Sequence, residues 1–286
     1  MKSKRFLAVF ICIIVSLAVI GSAAFVAFDK LGNNRKIEAI KTVKISGMDF
    51  IDEDITLIAH RGFSADAPEN TLQAIEKAGE AGFKMVEFDI RQTVDGIWVV
   101  SHDDKLDRMT NGKGRISEMT YREILDFTLD NGANIEKFDK IRIPTLEAAL
   151  NACMTSGVMP VIEIKSYKVD GIEKLFKSLQ GKCLLEGAAI ISYDGQALLK
   201  FHKLSPKTEL WLLTDIIDEN AVAFLEKHPE IGLSFKVGNK KNSDQKIKDM
   251  KKKGINLSSY TVNDEEQLKR LYNLGVRIFT TDVFTP

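Results

Sequence analysis

From about Ile55 to the end of the chain, short runs rich in β-branched and other apolar residues alternate with stretches of helical periodicity, and this alternation restricts the fold more than any other feature. The candidate strands are Ile55 to Ala59, Met85 to Ile90, Ile97 to Ser101, Met159 to Ile164, Ala188 to Ser192, Glu209 to Leu213, Ile231 to Phe235, Ile255 to Tyr260 and Val276 to Thr280. Between them, helical patterns run near Glu69 to Gly82, Tyr121 to Thr128, Thr145 to Ser156, Gly171 to Gln180, Gly195 to Lys203, Glu219 to Lys227, Ser243 to Lys253 and Asp264 to Leu274. Such repetition over about 230 residues implies a parallel sheet, and this length favours the TIM (β/α)8 barrel within the α/β class. Nine strands is one too many. The link from Arg91 to Gly96 is too short for a crossover helix, and Val94-Asp95-Gly96 reads as a turn. Either part of Ile90 to Ser101 is irregular or a late strand lies outside the barrel.

Basic and acidic residues number 40 each, so no excess charge recruits nucleic acid. Three of the positives, Lys2, Lys4 and Arg5, precede an uncharged run of 23 residues from Phe6 to Phe28. As a helix that run would span roughly 34 Å, enough to cross a bilayer core of about 30 Å. The flanking positives favour a cytoplasmic N-terminus with the remainder outside. The expectation is a single-pass cell-membrane anchor over residues 1–28, a polar linker over 29–54 and an extracytoplasmic catalytic barrel over 55–286. A cleaved signal peptide with secretion is the alternative, since Ser22-Ala23-Ala24 offers small residues for processing. Outside the apolar run, Cys153 and Cys183 lack framework spacing and read as buried free thiols.

The chemistry concentrates at strand ends. Glu87 and Asp89 are two apart, so both point into the barrel if Val86, Phe88 and Ile90 pack outward. Glu163 and Lys165 repeat the device on another strand. One carboxylate alone reads as a surface group on an edge strand. Three in apolar strands demand a cation, and an all-oxygen set suits one divalent Mg2+ or Ca2+ better than zinc. His60 and His102 both end β-branched runs, placing two imidazoles where acid and base work at neutral pH is possible. His202 and His228 lie in helical, lysine-rich surroundings and read as surface residues. Arg61 and Lys165 supply phosphate-matching positive charge. A phosphate, a hard cation and two proton carriers point to phosphodiester hydrolysis. The chain has no Gly-x-Ser-x-Gly elbow and no phosphate loop.

His60-Arg61-Gly62, Pro68-Glu69-Asn70-Thr71, Glu87-x-Asp89, His102-Asp103, Leu106-Asp107-Arg108 to Gly114-Arg115, and Glu163-Ile164-Lys165 follow one another in an order that resembles the glycerophosphodiester phosphodiesterase family. The resemblance covers about Ile55 to the end. It implies a TIM barrel that hydrolyses glycerophosphodiesters to sn-glycerol 3-phosphate and an alcohol, in glycerophospholipid metabolism. By that similarity Glu87, Asp89 and Glu163 hold the metal, His60 and His102 act as acid and base, and Arg61 and Lys165 bind phosphate. Met109 to Arg142 would be the family's insertion after the second histidine. Tyr260-Thr261-Val262-Asn263 departs from the family's tryptophan at its first position, which changes the surface Tyr260 offers the substrate. The late Thr281-Asp282-Val283-Phe284 matches only in part, and the chain stops at Pro286 without a closing helix. Two other activities stay open: a phospholipase-type or lysophospholipase D reaction at the membrane, and a surface binding module without turnover.

Overall fold

The computed structural model describes residues 42–45, 48–51 and 55–286. Eight parallel strands close into a barrel: β2 (Thr56–Ala59), β3 (Met85–Gln92), β5 (Met159–Ile164), β6 (Ala189–Ser192), β7 (Glu209–Thr214), β8 (Gly232–Lys236), β9 (Leu257–Tyr260) and β10 (Ile278–Thr281). Closure comes from β2, which pairs with β10 on one side and β3 on the other. The ninth strand is β4 (Trp98–Val100), which runs antiparallel on β3 with Ile90 opposite Val100 and Gln92 opposite Trp98. The short link therefore makes a hairpin, and every late strand expected from the sequence belongs to the barrel.

Strand alternation sorts the side chains into two cores. Phe88, Ile90, Ile162, Ile190, Leu212, Leu233, Phe235 and Phe279 point outward under the helices. Ile58, Val161, Ala189, Ile191, Trp211 and Leu213 point inward and fill the barrel, so the site can only sit at its open end. Around this sheet pack α1 (Leu72–Glu80), α3 (Leu146–Ser156), α4 (Gly171–Gly181), α5 (Gly195–Leu204), α6 (Glu219–Lys227), α7 (Asp244–Lys252) and α8 (Glu265–Asn273). Thr71, Thr145, Asp218, Ser243 and Asp264 each accept the backbone N–H three residues on, and Asp194 accepts that of Gln196. Each cap contributes about 1 kcal/mol and fixes where a helix begins after its loop. The first helix starts at Leu72 rather than Glu69, because Asn70 takes a left-handed conformation, φ 58°, outside the helix.

Segment 106–142 folds on a core of its own, formed by Val99, Leu106, Ile116, Ile124, Leu129, Ile141 and Ile143. It contains 3-10 turns and one short helix, α2 (Tyr121–Ile124), whose Thr120 and Glu123 form a capping box. Cys153 is buried, but Cys183 is an exposed free thiol in the turn after α4, not the buried one expected from its context.

The stretch read as a linker is partly built into the fold. Its β1 (Val43–Lys44) pairs in parallel with β11 (Phe284–Thr285), and Met48, Phe50 and Ile51 pack against the outer core. The apolar run 6–28 lies outside the described residues. Among those described, no helix is long and apolar enough to cross a membrane.

Candidate active site

The inward-facing positions of β3 and β5 set Glu87, Asp89 and Glu163 together, with Asp89 directly opposite Glu163 in the ladder. All three are buried, and one donor oxygen from each lies within 4.8 Å of the others. Lys165, the next inward position after Glu163, bridges them: Nζ is 2.6 Å from Glu163 Oε1 and 3.1 Å from Asp89 Oδ1. Burial first, and the Asp89 charge second, push the Glu87 and Glu163 carboxyls above their usual range. Asp89 goes the other way. Burial opposes its charge, but Lys165, Arg61 and His102 outweigh it and keep the carboxylate ionised. Glu87 Oε1 is buried with no hydrogen-bond partner. A hard oxygen set with an orphaned buried acceptor fits a divalent cation, which would satisfy that atom and let all three carboxylates ionise.

His60 follows β2 at an inward position, one step beyond Ala59, which pairs with Val86. Its Nδ1 lies 2.7 Å from Asp282 Oδ1. A carboxylate can only accept, so Nδ1 carries the hydrogen and Nε2 is the ring atom left for proton transfer. Burial opposes protonation of this ring, but Asp282 and, further off, Glu87 overcome it and raise its pKa. Asp282 is itself fixed by Asn263, which donates to Oδ2 at 2.7 Å, and by Ser64.

Arg61 and Gly62 turn the chain sharply off β2, both at positive φ (57° and 82°). The Arg61 N–H donates to Glu87 Oε2 at 2.7 Å and the Gly62 N–H to the Glu87 carbonyl at 2.9 Å. The Arg61 side chain points toward the acids: NH1 donates to Glu69 Oε1 at 2.9 Å, while buried Nε stands 3.7 Å from Asp89 with no hydrogen bond made. Those unused donor directions suit an anion. A Cβ on Gly62 would lie 2.4 Å from that of Ala74. Gly62→Ala is thus expected to cost about 1–3 kcal/mol, read by urea denaturation, because both the φ and the packing oppose it.

His102 reaches the site by a different route. The β3–β4 hairpin brings the chain back beside Asp89, where the Ser101 N–H donates to the Asp89 carbonyl at 3.0 Å. The His102 carbonyl then accepts two bonds from Arg91, from Nε at 2.9 Å and NH2 at 2.7 Å. Its Nδ1 lies 2.7 Å from Asp103 Oδ1. Both histidines therefore have a carboxylate behind Nδ1.

Tyr260, at the end of β9, lies with the residues that follow β6 and β7. Its hydroxyl is 2.6 Å from that of Tyr193 and donates to Asp215 at 3.3 Å. Three residues important to this geometry stand in the sequence only within motifs or as part of a helix start, with no role of their own assigned there. Asn70 holds Asp89 at both ends, donating from Nδ2 to Oδ2 at 2.8 Å and accepting the Asp89 N–H at 3.0 Å. Glu69 anchors Arg61, and Asp282 orients His60. All three lie in loops, where no periodicity marks a residue's direction.

Residues 60–285 match the model of the glycerophosphoryl diester phosphodiesterase family. The glycerophosphodiester phosphodiesterase of Bacillus altitudinis is 33% identical over 239 residues, covering 79% of this chain and 94% of the relative. That of Caldanaerobacter subterraneus subsp. tengcongensis is 34% identical over 233 residues, covering 79% and 93%. Among solved structures, an Oleispira antarctica phosphodiesterase in complex with the product sn-glycerol-3-phosphate is 29% identical. It aligns with a TM-score of 0.71 over 79% of this chain and 92% of its own. Barrel, ordered motifs and relatives agree: this chain belongs to the glycerophosphoryl diester phosphodiesterase family and is a phosphoric diester hydrolase.

Proposed function

We propose that the chain hydrolyses glycerophosphodiesters to sn-glycerol 3-phosphate and an alcohol, with one divalent cation held by Glu87, Asp89 and Glu163. The observation that carries this reading is the buried carboxylate triad flanked by Arg61, Lys165 and two carboxylate-backed imidazoles. Bound there, Mg2+ or Ca2+ would supply Lewis-acid stabilisation of charge on the phosphoryl oxygens. Arg61 and Lys165 bind the phosphate and offset the charge that builds on it. One imidazole takes a proton from the nucleophile, either water or the substrate's own hydroxyl with water then opening the cyclic diester, and the other gives one to the departing alkoxide from Nε2. The Tyr260 hydroxyl, on the wall formed by β6 to β9, contacts the organic part of the substrate. The Oleispira complex with sn-glycerol-3-phosphate supports the choice of product. The uncharged run 6–28 with its preceding positives supports a membrane-held, extracytoplasmic barrel.

The test is release of glycerol 3-phosphate from glycerophosphocholine by the full chain in liposomes, with EDTA and then added Mg2+ or Ca2+. Turnover that EDTA removes and the ion restores is the expected outcome. Release from lysophosphatidylcholine alone would instead favour the phospholipase-type reaction, and release from neither would favour the binding module.

A further inference from the structure

Arg108 ends a 3-10 turn, Leu106–Arg108, in the segment with its own small core, yet its guanidinium reaches back to the barrel mouth. Nε donates to Asp103 Oδ2 at 2.5 Å, while NH1 and NH2 donate to the two oxygens of Glu69 at 3.0 and 2.7 Å. Each of these carboxylates has a second partner. Asp103 uses its other oxygen on His102 Nδ1 at 2.7 Å, and Glu69 Oε1 also accepts from Arg61 NH1 at 2.9 Å. A single planar fork thus sits behind two groups that arrive on different strands, the imidazole after β4 and the arginine after β2. Both carboxyls are held below their usual range, Asp103 chiefly by the His102 and Arg108 hydrogen bonds, Glu69 by Arg108 and Arg61 against the opposing effect of burial. Each is therefore charged.

The Arg108 backbone is pinned in turn, since Asn131 Nδ2 donates to its carbonyl at 3.0 Å. Nearby, the same segment grips the 66–70 loop without touching either group: Asn134 Nδ2 donates to the Asp66 carbonyl at 2.9 Å, and Gly132 lies against Pro68. The docking of the segment and the aim of Arg108 are thus separable.

Building on the roles given above to His102 and Arg61, we propose that Arg108 is a positioning residue that orders the His102 imidazole and the Arg61 phosphate clamp as one unit, through Asp103 and Glu69. Without it, Glu69 has only Arg61 to bond and draws that side chain from the acids, while Asp103 loses the donor that fixes its plane behind His102.

The experiment compares full-length Arg108→Gln, Asp103→Asn, Glu69→Gln, the pairs of Arg108→Gln with each, and Asn134→Ala as the docking control. Steady-state turnover of glycerophosphocholine is measured at saturating divalent cation. Arg108→Gln is expected to lower kcat about 10- to 100-fold and raise KM about tenfold, whereas Asp103→Asn moves mainly kcat and Glu69→Gln mainly KM. Arg108→Gln added to Asp103→Asn should lower kcat no further, because one path is already cut. Arg108→Lys, which cannot span both carboxylates, should recover one parameter and not both. In 15N NMR of labelled histidine, the hydrogen-bonded Nδ1–H signal of His102 should be present in the parent and Asn134→Ala and lost in Arg108→Gln. Unchanged kcat and KM in a folded Arg108→Gln, strictly additive effects in the pairs, or a persistent Nδ1–H signal would overturn the proposal. A parent that does not turn over the diester defeats the functional reading alone, and the NMR comparison then decides the role of Arg108.

Discussion

Replacing His60 by alanine is expected to lower kcat by about 10^2- to 10^4-fold with little change in KM, measured on glycerophosphocholine with divalent cation in excess. The imidazole lies beside the buried carboxylates, and Asp282 fixes the tautomer that leaves Nε2 free to exchange a proton. With phosphate binding assigned to Arg61 and Lys165, KM should hold. Asp282→Asn gives a subtler result. The raised pKa of His60 means that folding favours the imidazolium. Its stabilising contribution is therefore complete below the ordinary value of 6.5 and is lost as pH rises through the raised value. Replacing Asp282 should remove most of that contribution, so the variant's deficit in melting temperature shrinks from pH 6 to pH 9. A deficit independent of pH would mean that Asp282 acts on packing rather than on the imidazole.

Chelation should have the second large effect. EDTA is expected to abolish turnover and to lower the melting temperature by about 5–10 °C at pH 8, relative to protein with cation at about 100 times Kd, yet to change it little at pH 5. The sign follows from the carboxyls. Glu87 and Glu163 are raised above 4.5 by burial and by Asp89, so without an ion the folded chain holds more protons than the unfolded one. Stability of the ion-free protein then falls as pH climbs from about 4.5 into the neutral range. A divalent cation reverses this, since it binds the ionised forms and binds them better as pH rises. Glu87→Gln should reduce the pH slope to the part that Glu163 carries and remove the response to the ion. A response that persists in Glu87→Gln would place the ion elsewhere.

Barrel strands buried on both faces read as nearly continuous apolar runs, and this is why Met159 to Ile164 is found in the sequence to the residue. The same logic makes Glu87, Asp89, Glu163 and Lys165 legible, because a charge inside such a run has only one direction in which to point. The direction of Trp98–Val100 was not legible: three residues carry no information on whether a strand runs parallel or antiparallel, and only the short turn before it hinted at a hairpin. Nor was the small core of segment 106–142, whose 3-10 turns have no sustained period. The roles of Asn70, Asp282 and Arg108, though their motifs are visible in the sequence, escaped for a related reason. Their partners lie 19, 222 and 39 residues away, and only closure of the barrel brings them together.

The pairing of Val43–Lys44 with Phe284–Thr285 has a geometric consequence for the barrel's rim. Barrel strands all run toward the open end, and Phe284 comes just after β10 has reached it. Residues 43 and 44 thus pair with the chain just beyond the end of β10, and Phe50 packs on Lys269 and Tyr272 of α8. Losing residues 42–45 would therefore unpair Phe284–Thr285, which follow closely on the Asp282 that orients His60, so an edge far from the site in sequence steadies one of its ionisable groups.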